Sequence, residues 1–87
     1  MAKRIFPLDF PLPQQVVRIE CRDKNRCDTV VDGIVMHRDN LHGGNFFLYL
    51  FREHPVFQII YFIPSEGWFG DSELAGRKVP LKVTIIG

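Results

Sequence analysis

Apolar and polar residues alternate along much of the chain, which predicts β-strands. Between residues 15 and 22, Val17, Ile19 and Cys21 alternate with polar residues. A period of two is typical of a strand with one buried face. Four further segments suit strands on similar grounds: 27–38, 46–52, 56–63 and 78–86. No segment shows sustained helical periodicity, so the sequence predicts an all-β domain with almost no helix.

The number of strands depends on Asp32 and Gly33. An Asp-Gly pair between apolar runs is typical of a tight turn, which would give six strands. The pair also suits a glycine bend inside one long strand, which would give five, and we favour this interpretation. Residues 64–77 are predicted to be a glycine-punctuated loop with one helical turn around residues 72–75, capped by Ser72. The predicted fold is a small antiparallel barrel or strongly bent sheet of five or six strands, SH3-like or OB-like.

Residues 1–14 form a predicted N-terminal arm, and residues 15–87 form one small β domain. Three prolines in the arm exclude a helix interior and favour an extended chain. We expect the arm to lie over the domain, anchored by Ile5, Phe6 and Phe10. The alternative is an arm that docks on a neighbouring subunit.

Segments 46–52 and 56–63 carry large apolar side chains on both faces, whereas antiparallel sheets usually keep one face polar. The face predicted to lie outside carries Phe47, Tyr49, Phe51, Phe57, Ile59 and Tyr61. Large exposed apolar patches usually mark interfaces. We therefore predict that the chain forms a homo-oligomer, or binds another protein, through this face. The alternative is that the arm and the loop cover the face within one chain.

Trp68 and Phe69 lie between Gly67 and Gly70 in the predicted loop. Exposed aromatic residues on loops often anchor ligands or partners, so both belong to the candidate interface. The alternative is a hydrophobic plug over one end of the barrel. We favour the plug because so short a chain has few residues with which to fill a core.

The charge of the chain bears on nucleic-acid binding. The 87 residues carry a formal net charge of +1, which provides no global field to attract nucleic acid. A local basic cluster is the candidate nucleic-acid contact, and it consists of Arg18, Arg22, Lys24 and Arg26. Acidic neighbours dilute this cluster, so a solvated polar face is the favoured interpretation.

The cysteines and histidines do not form a recognisable catalytic or metal-binding motif. Five residues separate Cys21 from Cys27, whereas structural zinc sites usually have about two to four between their first two cysteines. His37 and His42 follow in or beside turns, with no adjacent nucleophile. A disulfide is geometrically conceivable, but two free thiols are expected in a reducing compartment. We therefore predict no catalytic residues, no metal and no cofactor.

Residues 17–20 read Val-Arg-Ile-Glu, and Gly33, Asp39 and Asn45 follow, the last directly before Phe-Phe-Leu. This pattern is similar to the first motif of Sm-like RNA-binding proteins. The resemblance implies a barrel with a strongly bent, glycine-bearing strand that forms rings and binds RNA. The spacing from Asp to Asn is two residues longer here, and the Arg-Gly step of the second family motif is missing.

No apolar run is long enough to cross a membrane as a helix, so no membrane association is expected. The first residues lack the apolar segment of a secretory signal, and a cytoplasmic location is expected. The predicted function is a non-enzymatic binding or scaffolding module that self-associates through its aromatic hairpin. The alternative is a small barrel that binds RNA or another single-stranded nucleic acid.

Overall fold

The computed structural model describes residues 6–40, 44–54 and 56–87. The strands are β1 (Val16–Cys21), β2 (Val30–Asn40), β3 (Phe46–Phe51), β4 (Ile59–Ile63), β5 (Gly67–Ser72) and β6 (Gly76–Ile85). No helix occurs in the described residues, and so none there has the length and apolar character needed to span a membrane. The prediction of an all-β domain is confirmed.

The strands form a closed antiparallel barrel. Each strand pairs with the next along the chain, and β6 returns to pair with β1, where Ile19 lies opposite Val83. Closure removes the free strand edges to which another chain could add a strand. The predicted small antiparallel barrel is confirmed, with six strands where five were favoured.

Gly33 lies inside β2, so the favoured interpretation of one long strand is confirmed and the tight turn is not formed. It pairs with Val17 of β1 in one continuous strand of 11 residues. A Cβ atom at Gly33 would lie 2.8 Å from Cγ of Arg52, which crosses the strand there. Arg52 also donates hydrogen bonds to the carbonyl oxygens of Asp32, at 3.1 Å, and His54, at 3.0 Å. Glycine thus lets one side chain tie β2 to the turn that follows β3.

The predicted loop over 64–77 is wrong, because its middle forms β5. Trp68 pairs with Phe62 and Gly70 with Ile60, so the segment is an ordinary strand despite its glycines. Residues 73–75 form a turn and not a helix. Ser72 caps this turn as predicted, because its hydroxyl accepts hydrogen bonds from the N–H groups of Leu74 and Ala75 between β5 and β6.

Phe57 is the one predicted outer-face aromatic that lies inside the barrel. Strand β4 begins at Ile59, and Phe57 precedes it with a positive φ of 54°. Its side chain is only 2% exposed. A Cβ atom at Gly70 would lie 2.7 Å from Cδ1 of Phe57, so the glycine provides the space that the ring fills.

An aromatic cluster fills the interior where β3 and β5 begin and β4 ends. Its members are Phe6, Phe10, Phe46, Phe62 and Trp68. Phe10 stacks on Trp68 with 5.2 Å between ring centroids, and it is 5% exposed. Phe6 and Phe10 therefore anchor the arm as expected, whereas Ile5 lies outside the described residues. Trp68 lies in this plug, as favoured, but on a strand and not on a loop.

Cys21 and Cys27 are joined by a disulfide, so the expectation of two free thiols is wrong. Their Cα atoms lie 5.8 Å apart because the chain folds back after β1. The N–H groups of Arg26 and Cys27 both donate to the carbonyl oxygen of Asp23 in this turn. Disulfides persist mainly in oxidising compartments. The cytoplasmic location thus stays a prediction that the disulfide does not favour.

We predict that Gly70→Ala destabilises the barrel by about 1–3 kcal/mol, because the added methyl group overpacks the site of the Phe57 ring. Urea unfolding followed by the fluorescence of Trp68 measures this change. In a Phe57→Leu background the same substitution should cost clearly less, since the smaller side chain gives way. Equal costs in the two backgrounds would show that the ring does not occupy this space.

Candidate binding surface

The outer faces of β2 to β5 carry a lateral row of aromatic residues. Neighbours across the strands are Asp39, Phe47, Tyr61 and Phe69, each directly opposite the next. Ring centroids are 5.8 Å apart for Phe47 and Tyr61 and 6.1 Å apart for Tyr61 and Phe69. Cross-strand aromatic pairs of this kind stabilise a sheet. We call Phe47, Tyr61 and Phe69 the aromatic row.

A second lateral row lies beside the first. His37, Tyr49 and Ile59 face one another across β2, β3 and β4. The His37 and Tyr49 rings meet edge to face with 5.5 Å between their centroids. The second row therefore extends the apolar and aromatic surface along the strands.

The Phe69 end of the aromatic row is covered by two cations of the chain. The guanidinium carbon of Arg22 lies 5.4 Å from the Phe69 centroid, and Nζ of Lys78 lies 5.2 Å from it. Cations over ring faces are held by the ring quadrupole. Phe69 is 6% exposed as a result of this cover and its neighbours, although it lies on the outer face.

The other end of the aromatic row opens into a groove of about 390 Å³. Its lining consists of Phe47, Phe57, Gln58, Ile59, Tyr61 and Asp71. The Asp71 carboxylate accepts a hydrogen bond from the Lys78 N–H at 2.9 Å. Partial burial raises the pKa of Tyr61, and the nearby Asp71 carboxylate raises it further. The groove thus combines aromatic walls with one carboxyl side chain.

An apolar patch adjoins these rows, and its large side chains are more than a third exposed. It consists of Ile34 at 39%, Met36 at 61%, Phe51 at 61% and Ile59 at 50%. Ile34 and Phe51 are direct cross-strand partners. Met36 lies at the irregular step between Val35 and His37, where the register of β2 and β3 shifts. This apolar patch has no cover in the described part of the chain.

Six of the eight residues in the predicted interface lie on the outer face: Phe47, Tyr49, Phe51, Ile59, Tyr61 and Phe69. Phe57 and Trp68 lie inside the barrel, as described above. The predicted interface omits Ile34, Met36 and Asp71. Three consecutive apolar residues at 34–36 break the alternation along β2, and that break was a usable signal for the irregular step.

The described part of the arm, residues 6–14, does not provide the alternative cover for the outer face. Phe6 and Phe10 make their ring contacts with the aromatic cluster at the barrel end. Arg38 joins this cluster, with its guanidinium carbon 3.9 Å from the Phe6 centroid. Because β5 is part of the barrel wall, the segment 64–77 does not lie over the outer face either.

The predicted basic cluster is engaged within the chain. Arg18 forms a bidentate pair with Asp32, at 2.9 and 3.2 Å, and this hydrogen bonding lowers the pKa of Asp32. Arg22 donates to the carbonyl oxygen of Trp68 at 3.3 Å. Lys24 lies 3.8 Å from Asp28.

Arg26 has the most extensive contacts of the four. Its guanidinium donates to the carbonyl oxygens of Ala75 and Arg77 at 2.9 Å and of Lys78 at 3.4 Å. These bonds tie the loop after β1 to the start of β6. Each of the four cations therefore has a partner within the chain, while the side chains of Arg18 and Lys24 remain about half exposed, at 46% and 54%.

The described residues contain no group of three or more His, Cys, Asp or Glu side chains that could hold a metal ion. Both cysteines are used by the disulfide, and His42 lies outside the described residues. Glu66 forms an ion pair with Lys78 at 2.8 Å. The described surface thus presents exposed apolar side chains together with ion-paired charged groups.

The chain matches no protein-family model, no curated protein and no solved structure. The similarity to the first Sm motif therefore gains no support from a family match. The geometry of the outer face carries the functional argument alone.

We predict that Asp71→Asn lowers the pKa of Tyr61, because a neighbouring carboxylate disfavours the tyrosinate. A Tyr49→Phe background leaves Tyr61 as the single tyrosine, so its ionisation is read from ultraviolet absorbance during an alkaline titration. Asp28→Asn removes the same charge beside Lys24 and should leave the midpoint unchanged. An unchanged or higher midpoint in Asp71→Asn would contradict the placement of the two side chains.

Proposed function

We propose that this protein is a non-enzymatic binding module that self-associates through the apolar patch on β2, β3 and β4. The support is the exposure of Phe51 and Met36, each 61%, on a chain whose interior is already filled. Four large apolar side chains in one region of a small protein are a typical interface signal. The aromatic row and the second row border this patch and would widen the contact.

The energetics favour a contact of modest strength. Full burial of a large apolar side chain contributes about 1.5–3 kcal/mol, so covering the exposed half of each patch residue contributes about 1 kcal/mol. In a two-fold dimer both copies contribute, for a total of about 8 kcal/mol before the loss of translational and rotational freedom. The loss of that freedom costs at least about 4 kcal/mol, so the patch alone supports an association of about 1 mM, which contact through the bordering rows would strengthen.

Barrel closure determines how such a contact would form. Modules with a free sheet edge often bind a partner by adding a strand to that edge. All six strands here are paired on both sides, so a partner has to meet the side chains of the outer face. Barrel closure therefore favours face-to-face packing of two copies over strand exchange.

Binding of single-stranded nucleic acid remains the alternative proposal, with less support. The aromatic row could stack bases, as other small barrels do. The phosphate contacts, however, would have to come from arginines that already bind Asp32 and backbone carbonyls. Binding of an oligonucleotide that weakens steeply with salt would favour this alternative, and no binding at low ionic strength would remove it.

We predict that Phe51→Ser raises the dissociation constant of self-association at least about tenfold, since it removes the most exposed ring from the patch. Sedimentation velocity over a concentration series measures the constant. Leu8→Ser is the matched control, because Leu8 is fully exposed on the arm and away from the patch. A wild-type chain that sediments as a monomer at millimolar concentration, or equal effects of the two substitutions, would refute the proposal.

A further inference from the structure

The two ends of the aromatic row differ in one respect. At Phe69 the ring faces are covered by Arg22 and Lys78, whereas Phe47 and Tyr61 line an open groove. The chain therefore already shows which chemistry this row accepts, namely a cation over a ring face. We propose that the groove between Phe47, Tyr61 and Asp71 binds the cationic side chain of a lysine or arginine from a partner polypeptide.

The charges around the groove suit a cation. Asp71 lies in its wall, and Asp39 is the cross-strand neighbour of Phe47. Asp71, Glu66 and Lys78 are the charged groups that act on Tyr61, and the Lys78 ammonium group is paired with Glu66 at 2.8 Å. Two carboxylates and one ammonium group thus act at this position, a balance that favours an entering cation over an anion.

The apolar walls suit the remainder of such a side chain. Lysine and arginine carry methylene stems that pack along apolar surfaces while the charged group stays near water. Ile59 and Phe47 line the same groove as Asp71, so a stem lying on them would direct its charge toward the carboxylate. Asp71 accepts a bond from the Lys78 N–H and is hydrogen-bonded to Tyr61, and it keeps acceptor capacity beyond these two because a carboxylate accepts about four hydrogen bonds.

A cation–ring contact and a charge-assisted hydrogen bond act together at one position in this arrangement. Arginine can stack on a ring while its planar group donates to a carboxylate, and lysine offers a compact charge with three donors. A neutral side chain of the same shape offers neither interaction with comparable strength. Discrimination between charged and neutral side chains is therefore the property that the site should display.

The proposal stands on the groove alone and does not require self-association. Phe51, whose substitution should weaken self-association, is not among the residues that line the groove. Binding to the groove can therefore be measured in the Phe51→Ser chain. Failure of the cation site and failure of self-association are then separate results.

The test is a titration of the isotope-labelled chain, followed by NMR, with acetylated Gly-X-Gly tripeptide amides at up to millimolar concentration. X is arginine, lysine, or citrulline, the neutral isostere of arginine. We expect the arginine or lysine peptide to shift the amide signals of Phe47, Ile59 and Tyr61, with the citrulline peptide at least about tenfold weaker. Added salt should weaken binding of the charged peptides.

Asp71→Asn should weaken binding of the charged peptide about tenfold or more, whereas Asp28→Asn should leave it unchanged. Well-dispersed spectra of both variants show that each still folds. Equal binding of the citrulline peptide, equal weakening by the two substitutions, or no shifts at millimolar peptide would each overturn the proposal. Shifts confined to residues outside the groove would overturn it as well.

Discussion

The filling of a narrow barrel interior is the constraint on which the rest of this structure depends. The six strands enclose little space. The chain fills it with the inward-facing side chains of its strands and with aromatic rings from segments that lie outside the strands. Phe10 of the arm closes one region against Trp68, and Phe57 fills the space that Gly70 leaves. Since these rings are used inside, none of them can cover the apolar residues outside. Exposure of the outer face thus follows from how the core is completed.

The sequence predicted the fold class because alternation determines which strand residues face inward. The alternating segment around Val17 and Ile19 became β1, and Gly33 became part of one long strand, where Arg52 passes close to it. The prediction failed at Gly70, because glycine is common in loops but also occurs in strands where a bulky ring packs against the backbone. Gly70 was taken as a loop residue, but it is a strand position facing the buried Phe57 ring. Phe57 was misplaced because its positive φ reverses the direction of its side chain, which no alternation pattern reveals.

Only part of the candidate surface was predicted, because the rest depends on strand register and strand pairing. Outward residues of β3 and β4 could be read directly from the period of two, whereas Met36 depends on a register shift within β2. Asp71 joins the groove only because β5 is a strand that pairs with β4. The two cations over Phe69 come from the loop after β1 and from β6, so their contact depends on barrel closure. Long-range contacts of this kind leave no local signal in the sequence.

We propose the outer face of β2, β3 and β4 as the contact surface, because the filled interior leaves its side chains exposed. NMR spectra recorded from dilute to millimolar protein test this surface. We expect concentration-dependent shifts around Ile34, Met36, Phe51 and Ile59, with the arm and β6 unchanged. Spectra that do not depend on concentration, or shifts centred on Phe10 and the arm, would contradict it.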